Sequence, residues 1–207
     1  MDLNIQEIVR GLLRDVVYPF YDLERNLYIC IRPNPENNAE HSWSLALIAA
    51  AMAEHFDPDL DISKIIAFSI IHDVVEIICG DVPVHSSDPM AHALKEQREA
   101  EAVDTLESQT VSTPWIVEMI REYERKDTPE ALYVWAMDKY VGTLMQLDHE
   151  VPKYKELGLT LKKYNEGMDR ARAKASHYPP VAKLLDEVIE HFNNHPELFA
   201  DEPIGVE

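Results

Sequence analysis

The longest apolar segments of this chain limit its fold more than any other feature. Leu45 to Ala53 and Ile65 to Ile71 are both short of the roughly 18 apolar residues that a membrane span needs. A third segment, from Thr128 to about Leu147, is apolar on almost every side of a helix. Such segments are typical of helices buried in the core of a globular protein. We therefore expect a core built from these helices and no membrane span.

The residue content favours helices over sheets. Only 6 of the 207 residues are glycine, and many segments are rich in Ala, Leu, Glu, Lys and Met. We expect an all-α chain with one domain over residues 1–195 and a loose acidic tail over residues 196–207. Helices are predicted over Ile5–Tyr18, from an Asn38 cap to His55, from an Asp61 or Ser63 cap to Cys79, over Ala91–Ser108, from Pro114 to the charged stretch before Thr128, from there to Leu147, over Leu159–Ser176 and over Val181–Asn193. The stretch from Phe20 to Asn38 is expected to be a long loop.

The charge of the chain excludes some classes of partner. It has 19 Lys and Arg residues against 38 Asp and Glu residues, a formal net charge of −19. A surface of this sign repels the phosphate backbone of nucleic acids and anionic membranes, so we expect neither as a partner. A small anionic substrate is not excluded, because a metal ion or a few local cations can reverse the potential inside one pocket.

The N-terminus and the cysteines point to a cytoplasmic protein. The first residues, from Met1 to Asn4, lack the basic region and apolar block of a signal peptide. Cys30 and Cys79 are too few and too far apart for a disulfide framework or a thiolate zinc site. We expect two reduced thiols and a cytoplasmic location.

Three polar residues interrupt one of the apolar helices. His72, Asp73 and Glu76 lie within the otherwise apolar stretch from Ile65 to Ile78. At about 100° of rotation per helical residue, all three can address one point. Two buried carboxylates are costly unless a positive charge compensates them, and a divalent cation also accepts imidazole nitrogen. The alternative, of equal weight here, is a His–carboxylate pair satisfied by core hydrogen bonds together with a surface Glu.

Two further polar residues interrupt other apolar helices. Asp138 lies in the segment before Leu147, and His41 stands at the start of the helix that contains Leu45. Taken singly, Asp138 could form an internal salt bridge and His41 could be a capping residue. Taken with His72 and Asp73, they give a mixed nitrogen and oxygen ligand set suited to Mn, Fe, Co, Mg or Zn.

The pattern of these residues resembles a known family. His41, the doublet His72-Asp73 and Asp138 are similar to the H…HD…D signature of HD-domain metal-dependent phosphohydrolases. The stretches 39–42 and 72–83 are similar to the AEHS and HDxxExxxGDxP motifs of the small 5′-deoxynucleotidase branch. The resemblance covers roughly residues 26–147. It implies an HD-domain helical bundle with a metal site in the core, where these four residues hold one divalent metal ion.

The same resemblance implies roles for two carboxylates beyond the ligands. Glu76 would position or activate the attacking water, since a carboxylate beside a metal can take its proton. Gly80 fits the bend after the helix, and Asp81 would face the same pocket, near the sugar of the substrate. The alternative for Asp81 is a loop residue in an Asx turn.

The substrate contacts depart from the family pattern. Deoxynucleotidases of this branch carry an Arg–Trp pair upstream of the first His, whereas this chain has Arg25-Asn26 and no Trp follows. Arg25 is the expected phosphate ligand and Arg32 is its competitor, while the preference between ribose and deoxyribose stays open. The tryptophans are expected in the core rather than as base-stacking platforms: Trp43, Trp115 and Trp135.

Three functions fit these observations. The first is metal-dependent hydrolysis of the 5′-phosphate of (deoxy)ribonucleoside monophosphates, and the second is hydrolysis of deoxynucleoside triphosphates with release of triphosphate. The third is a non-catalytic module that binds metal or nucleotide. Only Arg25, Arg32 and Lys139 are cations near the motifs, which favours the monophosphate. Glu76 and Asp81 favour catalysis, and because relatives are often homodimers we expect a homodimer.

Overall fold

Helices account for most of the part of the chain that the computed structural model describes, which is residues 4–28, 34–81, 90, 94–147 and 154–201. The first half contains α1 (Ile5–Leu12), a π-helical turn (Leu13–Val17), α2 (Tyr18–Asp22), β1 (Glu24–Tyr28), β2 (Pro35–Asn37), α3 (Asn38–Phe56), α4 (Ile62–Ile71) and α5 (Glu76–Cys79). The second half contains α6 (Lys95–Gln109), α7 (Trp115–Glu124), α8 (Pro129–Leu147), α9 (Leu161–Ala175), α10 (Pro179–Asn193) and a 3₁₀ turn (Pro196–Leu198). The all-α fold class predicted from the sequence is confirmed.

Helix α8 lies at the centre of this arrangement. It packs against α3, α4, α9 and α10, and side chains on several of its sides are fully buried. The hydroxyl of Tyr133 donates a hydrogen bond of 2.9 Å to the backbone oxygen of Ala49 in α3, which ties the two longest helices together. A polar residue on α8, such as Asp138, is therefore held inside the core.

Helix α3 begins with a capping box. The side chain of Asn37 accepts a hydrogen bond from the backbone nitrogen of Glu40, and the Glu40 carboxylate accepts one from the backbone nitrogen of Asn37. The cap predicted at Asn38 is therefore wrong by one residue. Asn38 is the first residue of the helix and its side chain is fully buried, so it is free to serve another role in the interior.

The helix predicted as continuous to Cys79 is interrupted, which is a second correction. Helix α4 ends at Ile71, residues 72–75 form turns, and α5 then covers Glu76–Cys79. Here some backbone bonds run from an amide to the carbonyl three residues before, as from Val74 to Ile71 and from Glu76 to Asp73. A physical cause is the ring of His72, whose Nδ1 lies 2.9 Å from the Ser69 carbonyl that a continuing helix would offer to the amide of Asp73.

The stretch predicted as a loop after Phe20 contains regular structure. Pro19 lies in the first turn of α2, where a missing backbone N–H costs nothing, so the helix continues to Asp22. Strands β1 and β2 then pair antiparallel, with Glu24 opposite Asn37. This short sheet places Arg25 and Glu36 beside the start of α3.

The C-terminal segment is packed further than predicted. Phe199 is 3% exposed and its ring contacts those of Tyr154, Tyr164 and Phe192. The backbone nitrogen of Ala200 donates a bond of 2.9 Å to the backbone oxygen of Leu159. The prediction of a loose tail is therefore wrong for residues 196–201. Burying the aromatic side chain of Phe199 stabilises this segment more than its acidic residues favour an open chain. The rest of the predicted tail, residues 202–207, lies outside the described residues.

Two of the tryptophans predicted in the core are at the surface. Trp43 is 67% exposed on α3 and Trp115 is 51% exposed at the start of α7, while Trp135 on α8 is partly buried. No helix within the described ranges combines the length and the apolar content that crossing a membrane requires.

Candidate metal centre

Three helical elements bring the predicted metal ligands to one place. His41 comes from the first turns of α3, His72 and Asp73 follow the end of α4, and Asp138 lies in the middle of α8. His41 is fully buried, His72 and Asp138 are 5% exposed, and the side chain of Asp73 is 15% exposed. The rings of His41 and His72 are 5.4 Å apart between centroids. The cluster is therefore a group of polar side chains that is buried in the apolar core.

The ligand atoms of this cluster converge. His41 Nε2 lies 3.0 Å from Asp138 Oδ1, and His72 Nε2 lies 3.0 Å from Asp73 Oδ2 and 3.9 Å from Asp138 Oδ1. Ligand atoms of His41, His72 and Asp73 all lie within 4.8 Å of one another. Imidazole nitrogen and carboxylate oxygen are ordinary ligands of divalent transition metals at about 2.0–2.2 Å, so this spacing can contract around one ion.

The protonation of His72 provides a test of whether the cluster fits a cation. A carbonyl oxygen can only accept, so the contact of Nδ1 with the Ser69 carbonyl places the ring hydrogen on Nδ1. In the neutral ring, Nε2 then presents a lone pair to the carboxylates of Asp73 and Asp138. Nε2 is buried and has no hydrogen-bond partner among the described residues. Acceptors facing one another repel, and a divalent cation between them removes the conflict, so the residues fit a metal ion.

Both carboxylates of the cluster are held ionised. Burial alone raises the pKa of Asp138, but Lys139 and the hydrogen bond with His41 outweigh it and keep that pKa well below its usual value. Burial likewise opposes ionisation of Asp73, yet His72 in its protonated form and the charge of Arg25 lower its pKa overall. Ionised carboxylates are the form that binds a metal.

Arg25 lies against the cluster rather than away from it. Its Nη1 donates a hydrogen bond of 2.8 Å to Asp73 Oδ2, and its Nε lies 3.7 Å from Glu36 Oε2. Glu36 Oε2 also lies 3.6 Å from His41 Nδ1, so it connects Arg25 to a second ring of the site. The predicted phosphate contact of Arg25 stays a prediction, and Arg32, its competitor, lies outside the described residues.

Glu76 is buried beside the cluster and is held at both oxygens. It is 2% exposed; Oε2 accepts a bond of 2.8 Å from Asn38 Nδ2, and Oε1 accepts one of 3.1 Å from Lys95 Nζ. Burial and the nearby charge of Asp73 raise the pKa of Glu76 to about 8. In its ionised form, a carboxylate with a raised pKa is a stronger base than an ordinary one. Neither partner was predicted from the sequence, in which Asn38 fits a helix cap and Lys95 lies in a polar helix.

Asp81 follows Gly80, whose φ of 77° is favoured by glycine. The Asp81 side chain is half-buried, and its charge contributes to the pKa of Glu76 and of Lys95. Its charge also raises the pKa of Arg25, so Asp81 lies near the charged groups that surround the cluster. Its predicted contact with the sugar stays a prediction.

A cavity of about 600 Å³ begins at the cluster, where His72, Asp73 and Asp138 form part of its wall. Trp135 also lines this cavity, so it is not simply a core residue. Six basic side chains line the cavity: Lys95, Arg121, Arg125, Lys126, Lys139 and Lys174. Of these six, only Lys139 was predicted near the site from the sequence, so the predicted number of cations is wrong. Most of the others lie in polar segments, where a lysine looks like an ordinary surface residue.

Known proteins are similar to this chain over most of its length. The 5′-deoxynucleotidase hdd1 of Schizosaccharomyces pombe is 24% identical over 166 residues, covering 75% of this chain and 76% of that protein. The human 5′-deoxynucleotidase HDDC2 is 24% identical over 172 residues, covering 82% of this chain and 78% of that protein.

Solved structures show the same fold. A crystal structure from Magnetospirillum magnetotacticum, called a predicted metal-dependent phosphohydrolase, matches with a TM-score of 0.71 at 22% identity over 95% of this chain and 98% of that one. A conserved hypothetical protein from Pyrococcus furiosus matches with a TM-score of 0.60 at 24% identity over 91% of this chain and 98% of that one. A family model described as an HD domain matches residues 23–178, so the chain belongs to the HD-domain family.

Proposed function

We propose that this protein is a metal-dependent phosphohydrolase that removes the 5′-phosphate from (deoxy)ribonucleoside monophosphates. The observation that carries the proposal is the buried cluster of His41, His72, Asp73 and Asp138, with an unpartnered His72 Nε2 and with Glu76 beside it. The names of the relatives, 5′-deoxynucleotidases, support the substrate class. The cavity next to the cluster has the volume of a site for a small ligand.

The chain supplies distinct groups to this reaction. A divalent ion held by the four ligands would lower the pKa of a bound water and neutralise charge on a phosphoryl oxygen. Glu76 accepts the proton of the attacking water, and Asn38 and Lys95 hold its carboxylate in place. Arg25 offsets the negative charge of Asp73. The water oxygen bonds to phosphorus and the bond from phosphorus to the sugar oxygen breaks. The sugar oxygen takes up the proton that Glu76 received from the water, and nucleoside and inorganic phosphate leave.

We propose Mn, Co, Mg, Fe or Zn as the ion, because two imidazoles and two carboxylates suit all of these metals.

Two other functions are alternatives to this one. Hydrolysis of deoxynucleoside triphosphates would use the same cluster and would bring the additional phosphates to the basic wall of the cavity. A module that only binds metal or nucleotide has no need for a buried, doubly held carboxylate such as Glu76.

The test is metal-dependent release of phosphate. Metal-stripped protein is resupplied in parallel with Mn, Co, Mg, Fe or Zn and given deoxy- and ribonucleoside mono- and triphosphates. We expect inorganic phosphate from monophosphates only when metal is present, with products identified by chromatography. Triphosphate as the product would establish the second function, and no turnover despite bound metal would favour the binding module.

We infer that the protein is a homodimer that uses the exposed sides of α3 and α4. These adjacent helices each carry apolar side chains at helical spacing that are 39–67% exposed, among them Trp43, Leu47, Ile66 and Ile70. The exposed side chains of these four residues carry no charge, although the chain as a whole carries −19. An uncharged apolar surface is where two copies of so acidic a chain can approach each other.

Sedimentation velocity tests the dimer. We expect Ile66→Glu to convert a dimer into a monomer, because a charge at the centre of an apolar interface is left without a partner. Val111→Glu is the matched control, since Val111 is 74% exposed and belongs to the connection between α6 and α7 rather than to either helix. A monomeric parent protein, or a dimer that survives Ile66→Glu, would contradict this interface.

We also propose a cytoplasmic location without nucleic-acid or membrane partners. The charge of −19 supports the absence of polyanionic partners. The low cysteine content, with Cys79 a free thiol, is typical of a reducing compartment.

A further inference from the structure

The basic residues of the cavity wall fall into two groups. Arg121 donates to both oxygens of Glu107 at 2.9 Å, and Arg125 donates to Asp127 at 3.1 Å. Lys95 is shared between Glu76 and Glu99. These three cations are already neutralised by neighbouring carboxylates. The second group consists of Lys126, Lys139 and Lys174, which we call the lysine trio.

Two members of the lysine trio, Lys126 and Lys174, have weaker compensation, and the third is paired with a residue of the metal cluster. Lys126 Nζ lies 3.2 Å from the centroid of the Tyr123 ring and donates to the Tyr123 carbonyl, with the Glu124 carboxylate at 3.4 Å. Lys139 contacts Asp138, a residue of the metal cluster. For Lys174, no carboxylate of the described chain lies within ion-pair distance. Its ammonium instead lies 5.9 Å from the centroid of the Trp135 ring, while that of Lys126 lies 5.6 Å from it.

Gathering these ammonium groups is unfavourable in the protein alone. Burial and the charge of Lys139 lower the pKa of Lys126, to about 8, and also lower that of Lys174. Lys126 further adopts a left-handed backbone conformation with a φ of 50°, a strained state for a residue other than glycine. Like charges and backbone strain side by side on the wall of a cavity are the arrangement that an anionic ligand would stabilise.

The lysine trio lies immediately beyond the metal cluster. The ring of Tyr123, which carries Lys126 on its face, meets the ring of His72 edge-on, with centroids 6.2 Å apart. Lys139 directly follows Asp138 in α8. A single aromatic ring therefore separates the ammonium of Lys126 from a metal ligand, and all of these groups line the same cavity.

We propose that the lysine trio binds a second phosphate group of the nucleotide, next to the phosphate held at the metal. This rests on the proposed function, because it takes the cluster as the place of the first phosphate. The ligand class is a nucleotide with two or more phosphate groups. The second phosphate is joined either directly to the first, as in a nucleoside di- or triphosphate, or to the sugar, as in a 3′,5′-bisphosphate.

Binding calorimetry with Mn²⁺ tests this subsite without depending on turnover. In a Glu76→Gln background, which blocks hydrolysis, the probes are deoxyadenosine 5′-monophosphate, 5′-diphosphate, 5′-triphosphate and 3′,5′-bisphosphate. We expect at least one probe with additional phosphate to bind about tenfold more tightly than the monophosphate. Lys174→Met, which keeps the length of the side chain and removes its charge, is expected to abolish that advantage, measured as the ratio of each probe's affinity to that of the monophosphate.

Controls separate the subsite from general effects. Lys183→Met changes an exposed lysine on α10 outside the cavity and is expected to alter no affinity. Lys126→Met serves as a second variant should Lys174→Met fail to fold, as judged by thermal melting. Tighter binding of the diphosphate or triphosphate would show that the second phosphate is joined to the first. Tighter binding of the 3′,5′-bisphosphate would show that it is joined to the sugar.

Equal affinity for all four probes, or an advantage that survives both lysine variants, would overturn the subsite. The proposed function fails differently. If the parent protein does not release phosphate from the monophosphate but the lysine-dependent advantage is present, the subsite stands and the monophosphatase assignment is wrong.

Discussion

Replacing Glu76 by alanine or glutamine is expected to leave the metal bound and to lower the turnover number by about 10²- to 10⁴-fold, the usual contribution of a general base. Glu76 is engaged by Asn38 and Lys95 at its two oxygens rather than by the metal cluster. Glutamine has nearly the same shape, so it keeps the packing of the site while losing the ability to accept a proton. Metal content by atomic emission and steady-state phosphate release measure the two effects separately.

The matched control is Glu101→Gln, an exposed residue of α6 on which the site does not depend. It is expected to retain full activity. A fully active Glu76 variant would remove the proton-transfer role. Loss of the metal together with activity would instead make Glu76 a metal ligand, which the geometry of the cluster does not include.

The helices of this fold were largely predictable from sequence, because apolar periodicity reports which residues must be buried. The break between α4 and α5 was not, since it coincides with a contact of the His72 ring with the carbonyl of Ser69, and no propensity encodes that contact. The β1–β2 pair is too short to produce an alternating pattern. Phe199 likewise follows an acidic, proline-containing segment, and only its tertiary contacts with other rings hold it in the core.

The candidate site was predictable only in part, for a related reason. His72, Asp73 and Asp138 stood out because a polar residue in an apolar helix is costly without a partner. Lys126 and Lys174 gave no such signal, because they come from the α7–α8 connection and from the polar helix α9 and meet only in the folded chain. This explains why the cationic character of the cavity was underestimated.

Asp73→Asn is expected to abolish metal binding and activity while leaving the metal-free protein folded. Loss of an outer-shell partner of a metal site costs roughly 10- to 100-fold in affinity or activity, and loss of a direct ligand costs more. The readout that does not depend on activity is thermal melting. For the parent protein, a metal concentration a hundredfold above Kd should stabilise the fold by about 2.7 kcal/mol, and this increment should be absent in the variant.

Asparagine is the informative replacement because its amide group would face the ring of His72 and the guanidinium of Arg25. In the metal-free protein the lone pair of His72 Nε2 lies 3.0 Å from the Asp73 carboxylate, and an asparagine NH₂ group can donate a hydrogen bond there instead. The substitution therefore removes a repulsion while it removes a ligand. Arg25 Nη1 contacts the same Oδ2 position as His72 Nε2, so the amide oxygen can serve Arg25 only from the other position of the group. Asp104→Asn is the control, since the side chain of Asp104 is 81% exposed. A variant of Asp73 that still melts higher with metal would show that the other three residues suffice to hold the ion.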